Sequence, residues 1–174
     1  MNSSLPPGYR VRPLAPPDAE ALEWEGEYTH FRRLYTLAFE RAAAGRSILW
    51  CVEGPAGQLV GQVFVLLQAE HDPMTADGST RAFIHSFRIR PEHRNQGLGS
   101  GLLSHAEQDL IARGFNWVTL NVAEDNPDAL RLYERMGYAA IERISGHWSF
   151  TDHEGNQRHL HEPGWRMAKR LAVI

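Results

Sequence analysis

The stretch from Phe87 to Leu103 constrains this chain more than any other. It runs Phe87-Arg88-Ile89-Arg90-Pro91-Glu92-His93-Arg94-Asn95-Gln96-Gly97-Leu98-Gly99-Ser100-Gly101-Leu102-Leu103. Residues 82–89 are β-prone, with apolar Phe83, Phe87 and Ile89 at alternating positions that predict one buried face. Pro91 stops the strand. From Leu98 the period changes, and Leu98, Leu102, Leu103, Ala106 and Leu110 share one helical face. Gly114 stands where a C-capping glycine belongs. A strand thus runs through a basic, glycine-rich turn into the first turn of a helix. That turn offers free N–H groups and the positive end of the helix dipole. Gly97, Gly99 and Gly101 keep side chains away, so a phosphate or pyrophosphate can approach the backbone, with Arg94 or Arg90 adding charge. The plainer alternative is a turn that only lets the helix pack tightly on a sheet.

Two familiar phosphate sites do not fit. A Walker loop ends in Gly-Lys-Ser/Thr, and here Gly101 precedes Leu102 and Leu103. The dinucleotide fingerprint needs its third glycine at position 102, which is leucine.

Composition narrows the rest. The 174 residues suffice for one domain with a sizeable core. A net charge of −3 argues against a dedicated nucleic-acid binder. The single cysteine, Cys51, lies in the apolar run Ile48-Leu49-Trp50-Cys51-Val52 and reads as a buried, inert thiol. No signal peptide and no membrane-spanning apolar run are visible, so a soluble, cytoplasmic protein without membrane partners is expected. Residues 1–7 read as a loose N-terminal tail and residues 8–174 as a single domain.

Along the chain, residues 9–14 predict a first strand. Pro16 and Pro17 open a helical region reaching about Gly45, with one helix or two broken near Gly26 equally compatible. Its glutamates, Glu20 to Glu27, read as a solvated face, with an acidic rim for a cationic acceptor as the alternative. Phe31, Leu34, Tyr35 and Ala38 share a helical face. Residues 47–53 and 58–68 predict a buried hairpin around Gly54-Pro55-Ala56-Gly57. The loop 70–80 is a surface excursion or a wall of an acceptor pocket. Residues 115–122 predict a strand parallel to 82–89, joined by a right-handed crossover. Asn126-Pro127 starts a second short helix ending at Gly137.

Two of these blocks resemble one family. Arg94-Asn95-Gln96-Gly97-Leu98-Gly99 is similar to the Arg/Gln-x-x-Gly-x-Gly/Ala signature of the acetyl-CoA-dependent GNAT acyltransferases, and Phe87-x-Ile89-x-Pro91 resembles its usual lead-in. Residues 126–138 resemble the family's Asn-x-x-Ala-x-x-Leu-Tyr-x-x-x-Gly-Phe/Tyr helix, in the right order and at a family-like separation. The resemblance covers residues 80–145 specifically. It implies a mixed α/β domain whose central twisted sheet has about seven strands, antiparallel except between 82–89 and 115–122.

It also implies a site. Backbone groups of Phe87, Arg88 and Ile89 would pair with the pantetheine arm of acetyl-CoA, one N–H facing the thioester carbonyl as an oxyanion donor. Backbone N–H groups of Asn95, Gln96, Gly97, Leu98, Gly99 and Ser100 would hold the pyrophosphate, with Arg94 beside them. Asn126 would bond the arm, and Tyr133 would point at the sulfur. A phenol can protonate a departing thiolate, a step typically worth ~10²–10⁴ in rate. The alternative for Tyr133 is a packed aromatic.

The general base is harder to place. Some members carry glutamate where Asn121 stands here, and an amide cannot take a proton. His85 is the leading candidate, with a structural histidine as the alternative and Glu70, His71 and Glu124 behind it.

The histidine-rich tract 146–164 prompts a zinc hypothesis but lacks cysteine and fixed ligand spacing, so no metal is expected. Residues 152–156 read as a turn between two strands, and 165–171 resemble the family's closing strand. Trp148 and Trp165 are expected to pack in the core, with an acceptor wall or a homodimer face as alternatives. The function implied is acetyl, or other short acyl, transfer to the primary amine of a small molecule or peptide. The rival is a non-catalytic acyl-CoA-binding or regulatory domain, favoured by Asn121.

Overall fold

The computed structural model describes residues 4–172. The first three positions of the expected tail lie outside them. Further along, Leu5 packs against the core and the Tyr9 N–H donates to the Pro6 carbonyl at 3.2 Å.

The strand β1 (Arg10–Pro13) leads into a 3₁₀ segment (Pro16–Gly26), a short 3₁₀ turn (Thr29–Phe31) and α1 (Arg32–Ala43). The hairpin β2 (Ser47–Glu53) and β3 (Leu59–Leu66) follows, then β4 (Arg81–Ile89), α2 (Leu98–Ala112), β5 (Trp117–Ala123) and α3 (Pro127–Arg135). The chain closes with β6 (Ala139–Ile144), the hairpin β7 (His147–Thr151) and β8 (Gln157–His161), and β9 (Gly164–Arg170). Seven strands form one sheet in the order β1-β2-β3-β4-β5-β9-β6, while β7 and β8 pair only with each other. Within the large sheet β4 and β5 are parallel and every other pair is antiparallel. The expected mixed α/β sheet is present.

Strand alternation sends side chains to two cores. From β2, Leu49 and Cys51 meet Leu22, Phe31, Tyr35 and Ala38 on the α1 side. From the same strand Val52 faces Leu98, Leu102, Leu103 and Leu110, the apolar stripe of α2. The predicted faces of α1 and α2 are therefore the ones that pack. Gly114 (φ 89°) and Gly137 (φ 95°) end α2 and α3 in the left-handed conformation that glycine tolerates.

The region 16–45 is not one regular helix. Trp24 (φ 48°) and Glu25 (φ 56°) are left-handed, so the chain breaks just before Gly26 and only Arg32 onward is α-helical. The glutamates there make surface pairs, Glu23 with Arg32 and Glu25 with Arg90.

One sequence expectation fails in an instructive way. Phe83 does not share the core face of Phe87 and Ile89. Between the pairs Gln62↔Arg88 and Phe64↔His85, β4 carries one residue more than β3. Ser86, at φ 52°, absorbs this bulge. The extra residue exchanges the faces, so Ala82 and Ile84 join Ile89 in the α2 core while Phe83 and His85 stack together on the other side, centroids 5.9 Å apart.

A buried polar cluster ties α2 to the far end of the sheet. The Tyr138 hydroxyl donates to Glu107 Oε1 at 2.8 Å, and Lys169 Nζ donates to Glu107 Oε2 at 2.7 Å.

Candidate active site

The site follows from a failure of pairing. β4 and β5 are matched only over Arg81–Ile84 and Trp117–Leu120. Beyond that β4 stays on β3 and β5 stays on β9, so residues 85–89 and 121–123 diverge as the walls of a wedge. A wedge between parallel strands leaves edge N–H and C=O groups available to an extended ligand.

Two cavities meet there. The larger, about 700 Å³, is bounded by α1 and the β7–β8 hairpin. The smaller, about 270 Å³, is bounded by α3 and includes Phe87, Asn126, Ala129 and Tyr133. Ile84, His85, Ser86, Arg88, Asn121, Val122, Ala123 and Glu162 line both. A reactant entering from each side would touch the other at these residues.

The glycine-rich turn lies at the outer end of β4. Asn95 (φ 62°) and Gly97 (φ 83°) are left-handed, and α2 starts at Leu98. Gly97 offers no side-chain cap, so the first N–H groups of α2, those of Leu98, Gly99 and Ser100, point outward without an intrahelical acceptor. The first intrahelical bond closes from the Gly101 N–H to the Gly97 carbonyl at 2.9 Å. A Cβ on Gly97 would meet nothing within 4 Å, so its backbone angle and not its size requires glycine. The two candidate arginines part company. Arg90 is engaged by Glu25 at 2.7 and 3.0 Å and lies 5.1 Å over the Trp24 ring. Arg94 bonds the Ile89 carbonyl through Nε at 2.8 Å, which holds an exposed guanidinium beside the turn. Tyr9, next to β1, bonds His93 Nδ1 at 2.9 Å and steadies the turn from the other side.

On α3, Asn126 caps the helix by accepting the Ala129 N–H at 3.2 Å, which leaves its amide NH₂ facing the smaller cavity. Tyr133 is about two helical turns further on. Its ring packs 6.2 Å from Phe87 and 5.9 Å from Tyr138. Burial pushes its phenol up to about 12. Its hydroxyl has no hydrogen-bond partner among the described residues and borders the smaller cavity. A phenol kept protonated in this way is a donor with nothing yet to donate to.

His85 stands at the junction, with Nδ1 3.1 Å from Ser86 Oγ and its ring edge-on to Phe64. Burial first, then the positive charges of Arg41 and Arg88, push it down to about 4. It is therefore neutral at physiological pH. Asn121 also reaches the junction, with Oδ1 3.4 Å from Arg166 Nε. The weaker base candidates lie elsewhere: Glu70 pairs with Arg46, Glu124 pairs with Arg143 at 2.5 Å, and neither they nor His71 lines either cavity. The loop 70–80 lines neither, and nor do Glu20, Glu23, Glu25 and Glu27.

Glu162 is the carboxylate that sequence reasoning missed. It accepts the Trp148 indole N–H at 2.9 Å and borders both cavities. Its position depends on two close backbone approaches. A Cβ on Gly146 would lie 1.8 Å from the Glu162 carbonyl oxygen, and one on Gly164 would lie 2.0 Å from the Val122 carbonyl oxygen. No motif in the tract 146–164 announces this; the signal is long-range contact. Trp148 stacks on Phe31 at 6.1 Å and lines the larger cavity, so the acceptor-wall alternative describes it better than core packing. Trp165 packs on the core under Arg143. Cys51 is buried, its thiol pushed up to about 11 by desolvation, and is inert as expected. Among the described residues no cluster of three His, Cys, Asp or Glu side chains could hold a metal ion, and no helix is long and apolar enough to cross a membrane.

A split parallel pair, an uncapped helix start at its mouth and two cavities that share a wall make up the candidate site. Residues 13–138 match the Acetyltransferase (GNAT) family, and the chain belongs to that family. Solved structures agree on the fold. Arabidopsis thaliana NAA60 in complex with acetyl-CoA is 18% identical, with a TM-score of 0.69 over 94% of this chain and 98% of that one. The Escherichia coli ribosomal-protein-S18-alanine N-acetyltransferase is 20% identical, with a TM-score of 0.68 over 95% and 96%. A spermidine N-acetyltransferase SpeG chimera from Vibrio cholerae and hSSAT is 20% identical, with a TM-score of 0.69 over 94% and 96%. That family is one of acetyltransferases, and membership in it places the protein in this class of enzyme.

Proposed function

We propose that acetyl-CoA lies along the smaller cavity, that a primary amine enters through the larger one, and that the two react directly at the wedge. The observation that carries this reading is the shared wall of the two cavities at Ile84, His85, Ser86, Arg88, Asn121–Ala123 and Glu162. The pyrophosphate would rest on the N–H groups from Asn95 to Ser100, with Arg94 alongside. The pantetheine arm would fill the gap in the sheet, bonding the main chain of Phe87, Arg88 and Ile89 and the amide of Asn126. A main-chain N–H of the same strand end would face the thioester oxygen as negative charge develops on it.

The reaction balances without a covalent enzyme intermediate. The amine lone pair forms the C–N bond, the tetrahedral intermediate collapses, and the C–S bond breaks. The Tyr133 hydroxyl gives its proton to the departing sulfur, leaving CoA as a thiol. The nitrogen of the intermediate is cationic and far more acidic than a free ammonium. Neutral His85 can therefore relieve it of a proton, directly or through water, and pass that proton to solvent and back to Tyr133. Glu162 would hold the incoming amine in place. A cytoplasmic location belongs to this reading, and the unpaired thiol of Cys51 supports it.

The test is Tyr133→Phe. Acetyl-CoA affinity measured by calorimetry should stay within about twofold, while turnover falls by ~10²–10⁴. Unchanged turnover removes Tyr133 from the chemistry, and an absence of heat with acetyl-CoA removes the cofactor assignment with it.

A further inference from the structure

The larger cavity has a charge pattern that the transfer reaction does not require. Arg41 from α1, Arg88 from β4 and Arg166 from β9 line it, against one carboxylate, Glu162. Arg88 lies 4.2 Å over the Tyr28 ring and 5.3 Å over that of Phe31. Its Nη1 donates only to the Tyr35 hydroxyl, at 3.3 Å. Neither Arg88 nor Arg41 has an ion-pair partner among the described residues. Arg166 has a single distant one, Glu142 at 3.9 Å. Several arginines elsewhere are answered, Arg12 by Asp18 and Glu53, Arg32 by Glu23, Arg90 by Glu25 and Arg158 by Asp152, while Arg33, Arg81, Arg94, Arg135 and Arg170 have no ion-pair partner among the described residues but line neither cavity. Arginines left unanswered and gathered in one concave space are the exception.

Much of the remaining wall is aromatic, built from Phe31, Tyr35, Phe64, Phe83 and Trp148. The volume, about 700 Å³, is that of a small-molecule site. A guanidinium braced by rings on one side keeps its remaining donors in a fixed fork, which suits a carboxylate. The cationic wall is also felt at the junction, where Arg41 and Arg88 add to the burial that keeps the His85 imidazole neutral.

We propose that the acceptor is a small amine bearing a carboxylate and an apolar body, the chemistry of a free aromatic or branched aliphatic amino acid. Arg88 and Arg41 take the carboxylate, the aromatic wall takes the side chain, and the amine reaches the junction beside Glu162 and His85. Transfer then forms the C–N bond to the acetyl carbon and breaks the C–S bond as above, so this inference rests on the proposed function. The arginines act a second time on the nitrogen. Their positive field disfavours the ammonium form and leaves more of the bound amine as the free base that attacks. A polycation such as spermidine is disfavoured by the same charges.

The experiment measures free thiol released from acetyl-CoA with three matched acceptors per side chain: phenylalanine, its carboxamide and phenethylamine, and likewise for leucine. Spermidine and a short peptide with a free N-terminus complete the panel. The acid is expected to exceed its carboxamide in kcat/KM by about ten- to a hundredfold, the range of a charge-assisted bond. In Arg88→Gln and, separately, Arg41→Gln that ratio should fall towards one, mostly through KM, while stabilisation by acetyl-CoA in thermal melts persists. Retained stabilisation shows that a variant is folded, and either variant suffices. Equal or better use of the carboxamide, the decarboxylated amine, spermidine or the peptide overturns the proposal, as does an acid preference that survives in a folded variant. Binding of acetyl-CoA with no turnover of any amino acid also overturns it and leaves the cofactor reading standing. Failure to bind acetyl-CoA at all sinks the underlying function instead.

Discussion

The two halves of the site are made of different material. The proposed cofactor half is mostly main chain: a strand edge unpaired towards β5 at 85–89, left-handed turns at Asn95 and Gly97, and the uncapped start of α2. The acceptor half is mostly side chains, contributed by α1, β3, β4, β5, β9 and the β7–β8 hairpin. Main-chain sites need particular backbone conformations, and those leave local marks such as glycines at fixed spacing. Side-chain sites need only that distant segments meet, and that leaves no local mark at all.

Mutations can break this division or sharpen it. The largest effect should come from Gly146→Ala. Its Cβ would strike the Glu162 carbonyl at 1.8 Å, in a residue whose φ of 71° already disfavours alanine. A stability loss of roughly 3 kcal/mol is expected, read as a lower urea midpoint. If the halves are separable, acetyl-CoA should still bind the folded fraction while amine turnover is lost; loss of both would mean that the hairpin supports the cofactor side too.

Next is Glu107→Ala, which strands the Tyr138 hydroxyl and Lys169 ammonium behind α2. Lys169 is partly exposed, so the cost should be about 2 kcal/mol and not the full penalty of an orphaned buried charge. Because α2 starts at the turn proposed to hold the pyrophosphate, affinity for cofactor should weaken more than affinity for the amine. The reverse order would locate the role of Glu107 elsewhere.

Gly97→Ala should cost about 1–2 kcal/mol, since only the left-handed angle opposes the new methyl. Calorimetry should show the loss concentrated in acetyl-CoA affinity, with the acid-to-carboxamide preference intact. A change in that preference would contradict the separation.

The effect that is smallest at neutral pH is a pH slope, which grows only on acidification. The His85 imidazole titrates near 4 in the folded chain, below the 6.5 of an unperturbed histidine. Over that window the unfolded chain holds the proton and the folded chain does not, so stability is complete above about pH 6.5 and declines as pH falls towards 4. His85→Gln should flatten this part of the profile in thermal melts between pH 4 and 7. For the same reason the rate profile should lack an acid limb near 6.5 belonging to His85.

Legibility in the sequence follows the same line. The strand 82–89, the helix after Gly97 and the capped helix from Asn126 were readable because each carries its own stop and start residues. The faces of β4 were not, because nothing in Ala82–Ile89 announces that Ser86 will accommodate an extra residue and turn Phe83 away from the α2 core. The region 16–45 was half legible: the helical segment and its break near Gly26 were among the alternatives, but the geometry of the break was not. Its prolines and glutamates favour a helix start, yet burial of Leu22 and Trp24 fixes left-handed angles at Trp24 and Glu25 that no helix contains. Glu162 and the arginines at 41, 88 and 166 were scattered over more than a hundred positions, and only tertiary folding gathers them. Conversely the glutamate run, conspicuous as a cluster, is distributed among surface ion pairs or solvent, away from the cavities.

The gap where β4 and β5 part has a consequence for the life of the protein. On the proposed seating, an extended co-substrate completes the interrupted seam and is a removable part of the architecture. At a hundredfold excess over its dissociation constant it would add about 2.7 kcal/mol to resistance against unfolding. Starved of acetyl-CoA, the cell would hold a more fragile form of this chain, and protease turnover could then trim its amount to the acetyl supply.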